Sequence, residues 1–298
     1  MPLPDGHSPP PDRIPPVVDH ELAARRHDLA TTDLPCLNCG YNLRGLTEDG
    51  RCPECGTPVE RSLHGNLLIY SAADYLRTMH LGLVVIIASV IASVAVSIVF
   101  IALTILFGAF AASQNAPASA ATAVTMTEVA ATLFASAIGL VTLVGWWMFS
   151  APDPAIIGQE TGSRARVIVR TTVAISAAAT ILQAVFETAS ASTVNPAVHV
   201  AVVGTTAASL IAGIVKFFAA MLYIRWLAPR LPSRAIDKKA RQYMWLIPLL
   251  VLVTPCTIYI SLLVALVLYL LLLNELRQGI RSIREVRARE DAYAGPAA

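Results

Sequence analysis

Between residues 81 and 273 the chain runs in apolar stretches that exceed the roughly 20 residues needed to cross a bilayer core. In lipid, every backbone polar group has to be paired within the protein, so segments of this length can cross only as helices. Four of them are unambiguous: Leu81–Ala111, Val129–Phe149, Val167–Ala189 and Val198–Leu227. A fifth, Tyr243–Leu273, is interrupted by Pro248 and Pro255. The expected fold class is therefore an all-α transmembrane helical bundle over 81–273. The composition agrees: 14% of residues are charged, against about a quarter in a soluble domain. The net charge of +2 says little, because placement carries the signal.

The placement also predicts orientation. The 112–128 and 190–197 connections have no Lys or Arg. The 150–166 connection has Arg164 and Arg166, and 225–241 carries five Arg or Lys more than Asp237 alone offsets once Arg225 is counted with Arg230, Arg234, Lys238, Lys239 and Arg241. Basic loops stay in the cytoplasm, which places the N-terminus there too, and all four Trp fall near the cytoplasmic ends as expected of interfacial anchors. Five single crossings would put Arg277, Arg281, Arg284, Arg287 and Arg289 outside. At 1.5 Å per residue, 243–273 would make a helix of about 46 Å, long for a core of about 30 Å. A hairpin bent near Thr254–Cys256 brings the tail back, and the charge bias favours it over one tilted helix.

Ahead of the bundle stand "CLNCGYNL" and "RCPECG". Cys36, Cys39, Cys52 and Cys55 form C-x2-C-x12-C-x2-C, a spacing at which four thiolates surround a tetrahedral metal, Zn²⁺ before iron. Gly40 and Gly56 let the backbone turn with positive φ so that amide N–H groups face the sulfurs. All four positions are protein ligands, which makes the metal structural, and so small a domain draws its folding energy from it. Two disulfides would need an oxidising compartment, against the topology. Residues 31–65 also carry more Asp and Glu than Arg, which argues against nucleic acid. "CGYNLRGL" followed by "CPECG" resembles a zinc-ribbon module that fronts many uncharacterised multipass membrane proteins, notably of planctomycete bacteria. The matching positions are Cys36, Cys39, Gly40, Tyr41, Leu43, Arg44, Gly45, Leu46, Cys52, Pro53, Cys55 and Gly56. The resemblance implies a bacterial inner-membrane protein with a cytoplasmic ribbon, and it brings no activity with it.

The flanks follow from composition. Residues 1–30 are Pro-rich, without an apolar signal-peptide core, and are expected to be a disordered tail. Over 71–80, Ser71 and Asp74 have capping-box spacing before an interfacial helix or the first turns of the first span. Residues 274–298 form a basic tail whose Leu276, Ile280, Ile283 and Val286 share a helical face, suited to anionic headgroups or simply solvated.

Inside the bilayer, Lys216 is the charged residue deep in a clear span, and such residues are functional candidates by default. It falls in a four-residue row with Gly204, Ala208, Ala212 and Ala220, the spacing of a helix-packing face. Gln183 and Glu187 form an i, i+4 pair suited to lining a cavity, although Glu187 lies too far toward the outer side to pair directly with Lys216. Ser89, Ser93 and Ser97 make a further row, and Cys256 reads as a small buried hydrophobe. No phosphate loop, dinucleotide fingerprint, H-E-x-x-H or G-x-S-x-G occurs, so no catalytic residue is assigned. The sequence favours a non-catalytic membrane protein whose ribbon engages an unknown cytoplasmic protein. The alternative is a small transporter or channel using Lys216.

Overall fold

A computed structural model of the chain describes residues 33–64, 67–114, 117–153, 163–192, 196–231, 235–254 and 260–294. Among these, seven α-helices follow one another: α1 (Val59–His64), α2 (Ala73–Gln114), α3 (Pro117–Phe149), α4 (Ser163–Ser192), α5 (Pro196–Leu227), α6 (Ala235–Val253) and α7 (Ile260–Ala294). Short 3-10 turns at Leu68–Tyr70 and Ala228–Arg230 lead into α2 and out of α5. The described residues hold no strand, only two isolated bridges in the N-terminal module. Five helices, α2 to α5 and α7, are long and apolar enough to cross a membrane. The protein is thus a multipass helical membrane protein with a four-cysteine module at its front.

Consecutive long helices pack on one another, α2 on α3 most extensively, and α7 returns to pack on α2. The buried core gathers at one end of the bundle. It joins Leu76, Met79 and Leu83 of α2, Phe149 of α3, Tyr223 and Leu227 of α5, and Leu272, Leu276 and Ile280 of α7. Toward the other end, Ile98, Leu106 and Phe110 of α2 are exposed. Lipid tails are as apolar as these side chains, so leaving them outward costs nothing.

Two glycines let α2 and α3 meet closely. A Cβ on Gly82 would fall 2.7 Å from the Phe149 nitrogen and 2.8 Å from the Gly145 carbonyl oxygen; one on Gly145 would fall 2.7 Å from Ile86 Cγ1. Small residues at a crossing are what membrane helices use to approach. Gly82→Leu is expected to destabilise the folded protein by about 2 kcal/mol or more, because backbone has to move. Gly204→Ala, which meets nothing within 4 Å, is the control in thermal unfolding of the reconstituted protein.

The interrupted fifth stretch is two helices. α6 runs through Pro248 to Val253 and α7 starts at Ile260; the two pack together. Lys239 and Glu275 pair near the base, and Ser261 Oγ donates to Thr254 Oγ1 (3.2 Å) near the turn, so the arms are antiparallel. From Glu275 to Ile260, α7 rises about 22 Å, short of a full core. This is the hairpin expected from the charge pattern; the proposed bend at Pro255 and Cys256 lies outside the described residues. The tail arginines accordingly share an end with the basic loops, and Arg287 donates to the Ser71 carbonyl. A reporter fused after Ala298 is expected to read on the same side as one fused to the N-terminus; opposite sides would exclude the hairpin.

Other local expectations had mixed outcomes. Residues 73–80 are the first turns of α2, one of the two readings of that stretch, and Tyr75, Leu76 and Met79 are buried in the bundle. Ser71 does not cap that helix: its hydroxyl donates to Asp153 instead (2.7 Å). Of the apolar face expected over 274–298, Leu276, Ile280 and Ile283 are buried in the core and Val286 is half-buried. Of the Trp residues, Trp147 and Trp245 face outward, whereas Trp146 is buried and Trp226 stacks on Tyr223. The tail over 1–30 that the composition leads one to expect as disordered lies outside the described residues.

Candidate functional site

The four-cysteine module is built twice over. Cys36 N–H donates to the Tyr41 carbonyl (2.7 Å) and Gly40 N–H to the Cys36 carbonyl (2.9 Å). Sixteen residues on, about one knuckle further along the chain, Cys52 N–H donates to Thr57 (2.8 Å) and Gly56 N–H to Cys52 (2.8 Å). The bridges Pro35–Asn42 and Arg51–Pro58 obey the same shift. Gly40 and Gly56 sit at φ +78° and +69° with open space around them, so conformation rather than crowding demands glycine. These turns aim amides at sulfur: Asn38 and Cys39 at Cys36, Tyr41 at Cys39, Thr57 at Cys55.

The four Sγ atoms lie within 4.8 Å of one another, with Cys36–Cys55 and Cys39–Cys52 each at 3.6 Å. Ligands about 2.3 Å from a tetrahedral ion stand roughly 3.8 Å apart, so the donor set fits one metal ion. The ionisation pattern fits as well. The Thr57 hydroxyl and amide bring Cys55 down to about 6. Cys39 also gains from the Tyr41 amide, but desolvation and its three thiol neighbours push it up to about 12. Thiolates packed this closely repel one another, and a bound cation would offset that repulsion. Leu43, Val59 and Leu63 are fully buried beneath the cysteines, with Leu34 and Leu46 packed against them, and Leu37 N–H donates to Ser62 Oγ (3.3 Å). The module therefore has its own core, distinct from that of the bundle.

Helices α2 to α5 line a partly open cavity of about 760 Å³. Lys216 lines it, as do Ser97 from α2, Thr132 from α3, Ser176 from α4 and Ser209 from α5. No hydrogen bond or ion pair holds Lys216 among the described residues, and the hydroxyls of Ser176 and Ser209 are buried without a partner. The packing row containing Lys216 is only half formed: Ala212 and Ala220 are buried, while Gly204 and Ala208 are exposed. Gln183 and Glu187 are not brought to this cavity; Gln183 Nε2 donates to Glu187 Oε1 (2.8 Å) and the pair stands apart. The serine row divides, Ser89 accepting from Thr142 Oγ1 (2.9 Å) between helices and Ser93 and Ser97 facing the cavity.

Sequence reasoning missed two features. Glu128, at the border of the second span, lines the cavity at its far end. More consequential is a buried ion pair where three connections converge: Arg230 donates to Asp153 Oδ2 at 2.7 Å, with side chains 8% and 1% exposed. Ser71 donates to the same oxygen, and the Arg230 guanidinium lies 5.0 Å from the centre of the Trp226 ring. The available signal was Asp153 itself, an acidic residue between two prolines in the 150–166 connection. Comparisons with protein families, curated proteins and solved structures returned no match to this chain.

Proposed function

We propose that the chain is a bacterial inner-membrane protein whose N-terminal module is a zinc ribbon facing the cytoplasm, where it serves as a non-catalytic docking element for a protein partner. The observation that carries this reading is the module's own core beneath a saturated four-thiolate site. A site with no open coordination position builds a surface rather than activating a substrate. Zinc suits the all-thiolate set; iron is the second choice, and metal analysis with an absorption spectrum separates colourless Zn²⁺ from coloured iron thiolate. The cytoplasmic side is supported by the basic loops gathered at the end from which the ribbon leads into α2. Affinity purification from membranes, comparing the full chain with one lacking residues 31–60, tests the docking role. A partner retained equally by both would refute it.

A second reading, movement of a solute through the bundle, is favoured by the cavity at Lys216.

A further inference from the structure

The cavity combines three properties. First, it is deep: Lys216 stands eleven residues before the end of α5 at Leu227, about 16 Å from that end and away from headgroup level. Second, it is long. Tyr223 of α5 donates to the Phe149 carbonyl of α3 (3.3 Å), and the two helices run the same way, so Thr142 is level with Lys216. Glu128 then lies a further 21 Å or about that along the axis. Third, its polar groups are unsatisfied at one end. A helical side chain leans toward its own N-terminus, so Lys216 reaches along the face that carries Gly213 and Ser209. The same cavity is lined by the two buried hydroxyls without partners, Ser176 and Ser209. Further along α2, Phe100, Ile101 and Ile105 offer apolar wall, interleaved with Ser97, Thr104 and Thr132 and ending at Glu128.

We propose that this cavity binds an amphipathic monocarboxylate, its carboxylate held by the Lys216 ammonium and the Ser176 and Ser209 hydroxyls and its apolar chain lying along Phe100, Ile101 and Ile105. At the Lys216 end one cation matches one negative charge, the Glu128 carboxylate standing about 21 Å off along the axis; a dianion such as phosphate would leave a charge uncompensated there. A cationic ligand would meet Lys216, and a neutral one would leave it unpaired. A phospholipid headgroup would have to leave the interface by about half the core thickness, whereas a free acid carries its charge on the end of the chain. The volume lies within the range of small-molecule sites. The inference rests on the bundle crossing the membrane, and on neither the ribbon's partner nor net transport.

The test is calorimetric titration of decanoate into the full chain in phosphatidylcholine nanodiscs, with empty nanodiscs subtracted. Saturable binding at one site per chain is expected. Lys216→Met should weaken it at least tenfold and Lys216→Arg far less, while decanol, with the same chain and no charge, should bind weakly and ignore the substitution. Equal affinity of Lys216→Met and the parent, decanol binding as tightly as decanoate, or partitioning no different from empty nanodiscs would each overturn the proposal. Should Lys216→Met fail to fold, Ser176→Ala with Ser209→Ala removes both hydroxyl donors at little cost in volume. That variant is expected to bind several-fold more weakly, and unchanged affinity would overturn the proposal as well.

Discussion

Cys36→Ser is expected to abolish stoichiometric metal binding and unfold residues 33–64 while leaving the bundle inserted. The reason is the module's size. Beneath the cysteines it buries Leu43, Val59 and Leu63, with Leu34 and Leu46 at the edge, too little apolar surface to offset the ordering of about 30 residues at 1–2 kcal/mol each. Structural zinc supplies on the order of 10 kcal/mol in such peptides, so its loss should decide between folded and unfolded. Cys36 is also a hinge of the knuckle, since its own amide and carbonyl close the turn at Tyr41 and Gly40. The bundle has a separate core and should not follow. Metal content per chain, proteolysis confined to 33–64 and unchanged helical signal in membranes would together show this. A chelator should reproduce the effect in the native chain. Loss of membrane insertion in Cys36→Ser would contradict the modular architecture, and a protease-resistant 33–64 without metal would contradict the folding argument.

What could be read in the sequence follows from range. The spans were legible because hydropathy over 20 residues is a sum that no neighbour alters. The cysteine site was legible because its ligands fall in two short segments whose turns are local, down to the positive φ of Gly40 and Gly56. The hairpin was legible through electrostatics, since the arginines of α7 had to share a side with the other basic segments. Features that depend on a partner far along the chain were not. Ser71 reads locally as a cap, yet its partner is Asp153, 82 residues away. Leu276, Ile280 and Ile283 read as a surface-seeking face, because amphipathicity does not say whether lipid or protein covers it. Gln183 and Glu187 were correctly paired, as i, i+4 geometry alone decides that. Their exclusion from the cavity was not decidable from spacing, and Glu128 escaped notice because a residue bordering a span reads as interfacial. Gly82 and Gly145 sit in different helices, so only the crossing reveals why each is small.

Breaking the Arg230–Asp153 pair is expected to be the most destabilising single change in the bundle. Asp153→Ala should cost about 3–5 kcal/mol, the usual consequence of removing one member of a buried ion pair. Arg230 is 8% exposed at the side chain, and its guanidinium stands 5.0 Å from the Trp226 ring, a contact weaker than a charge-assisted hydrogen bond. The same substitution removes the acceptor of the Ser71 hydroxyl, and Arg287 holds the Ser71 carbonyl from α7. One carboxylate thus ties together the entry to α2, the exit of α3 and the exit of α5, with α7 attached through Ser71. The damage should therefore be shared by elements distant in sequence, which proteolysis at 150–162 and 231–235 together would reveal. Replacing both partners is a different matter. Asp153→Leu with Arg230→Met exchanges the pair for apolar groups, and in buried ion pairs such exchanges are often neutral or stabilising. The double variant is accordingly expected to recover most of the stability lost by Asp153→Ala in thermal unfolding of the reconstituted protein. If Asp153→Ala alone unfolds no earlier than the parent, the pair is not what holds these connections. If the double variant is as unstable as the single, the hydrogen bond from Ser71, rather than the charge on Arg230, is the larger contribution, and Ser71→Ala should then match it.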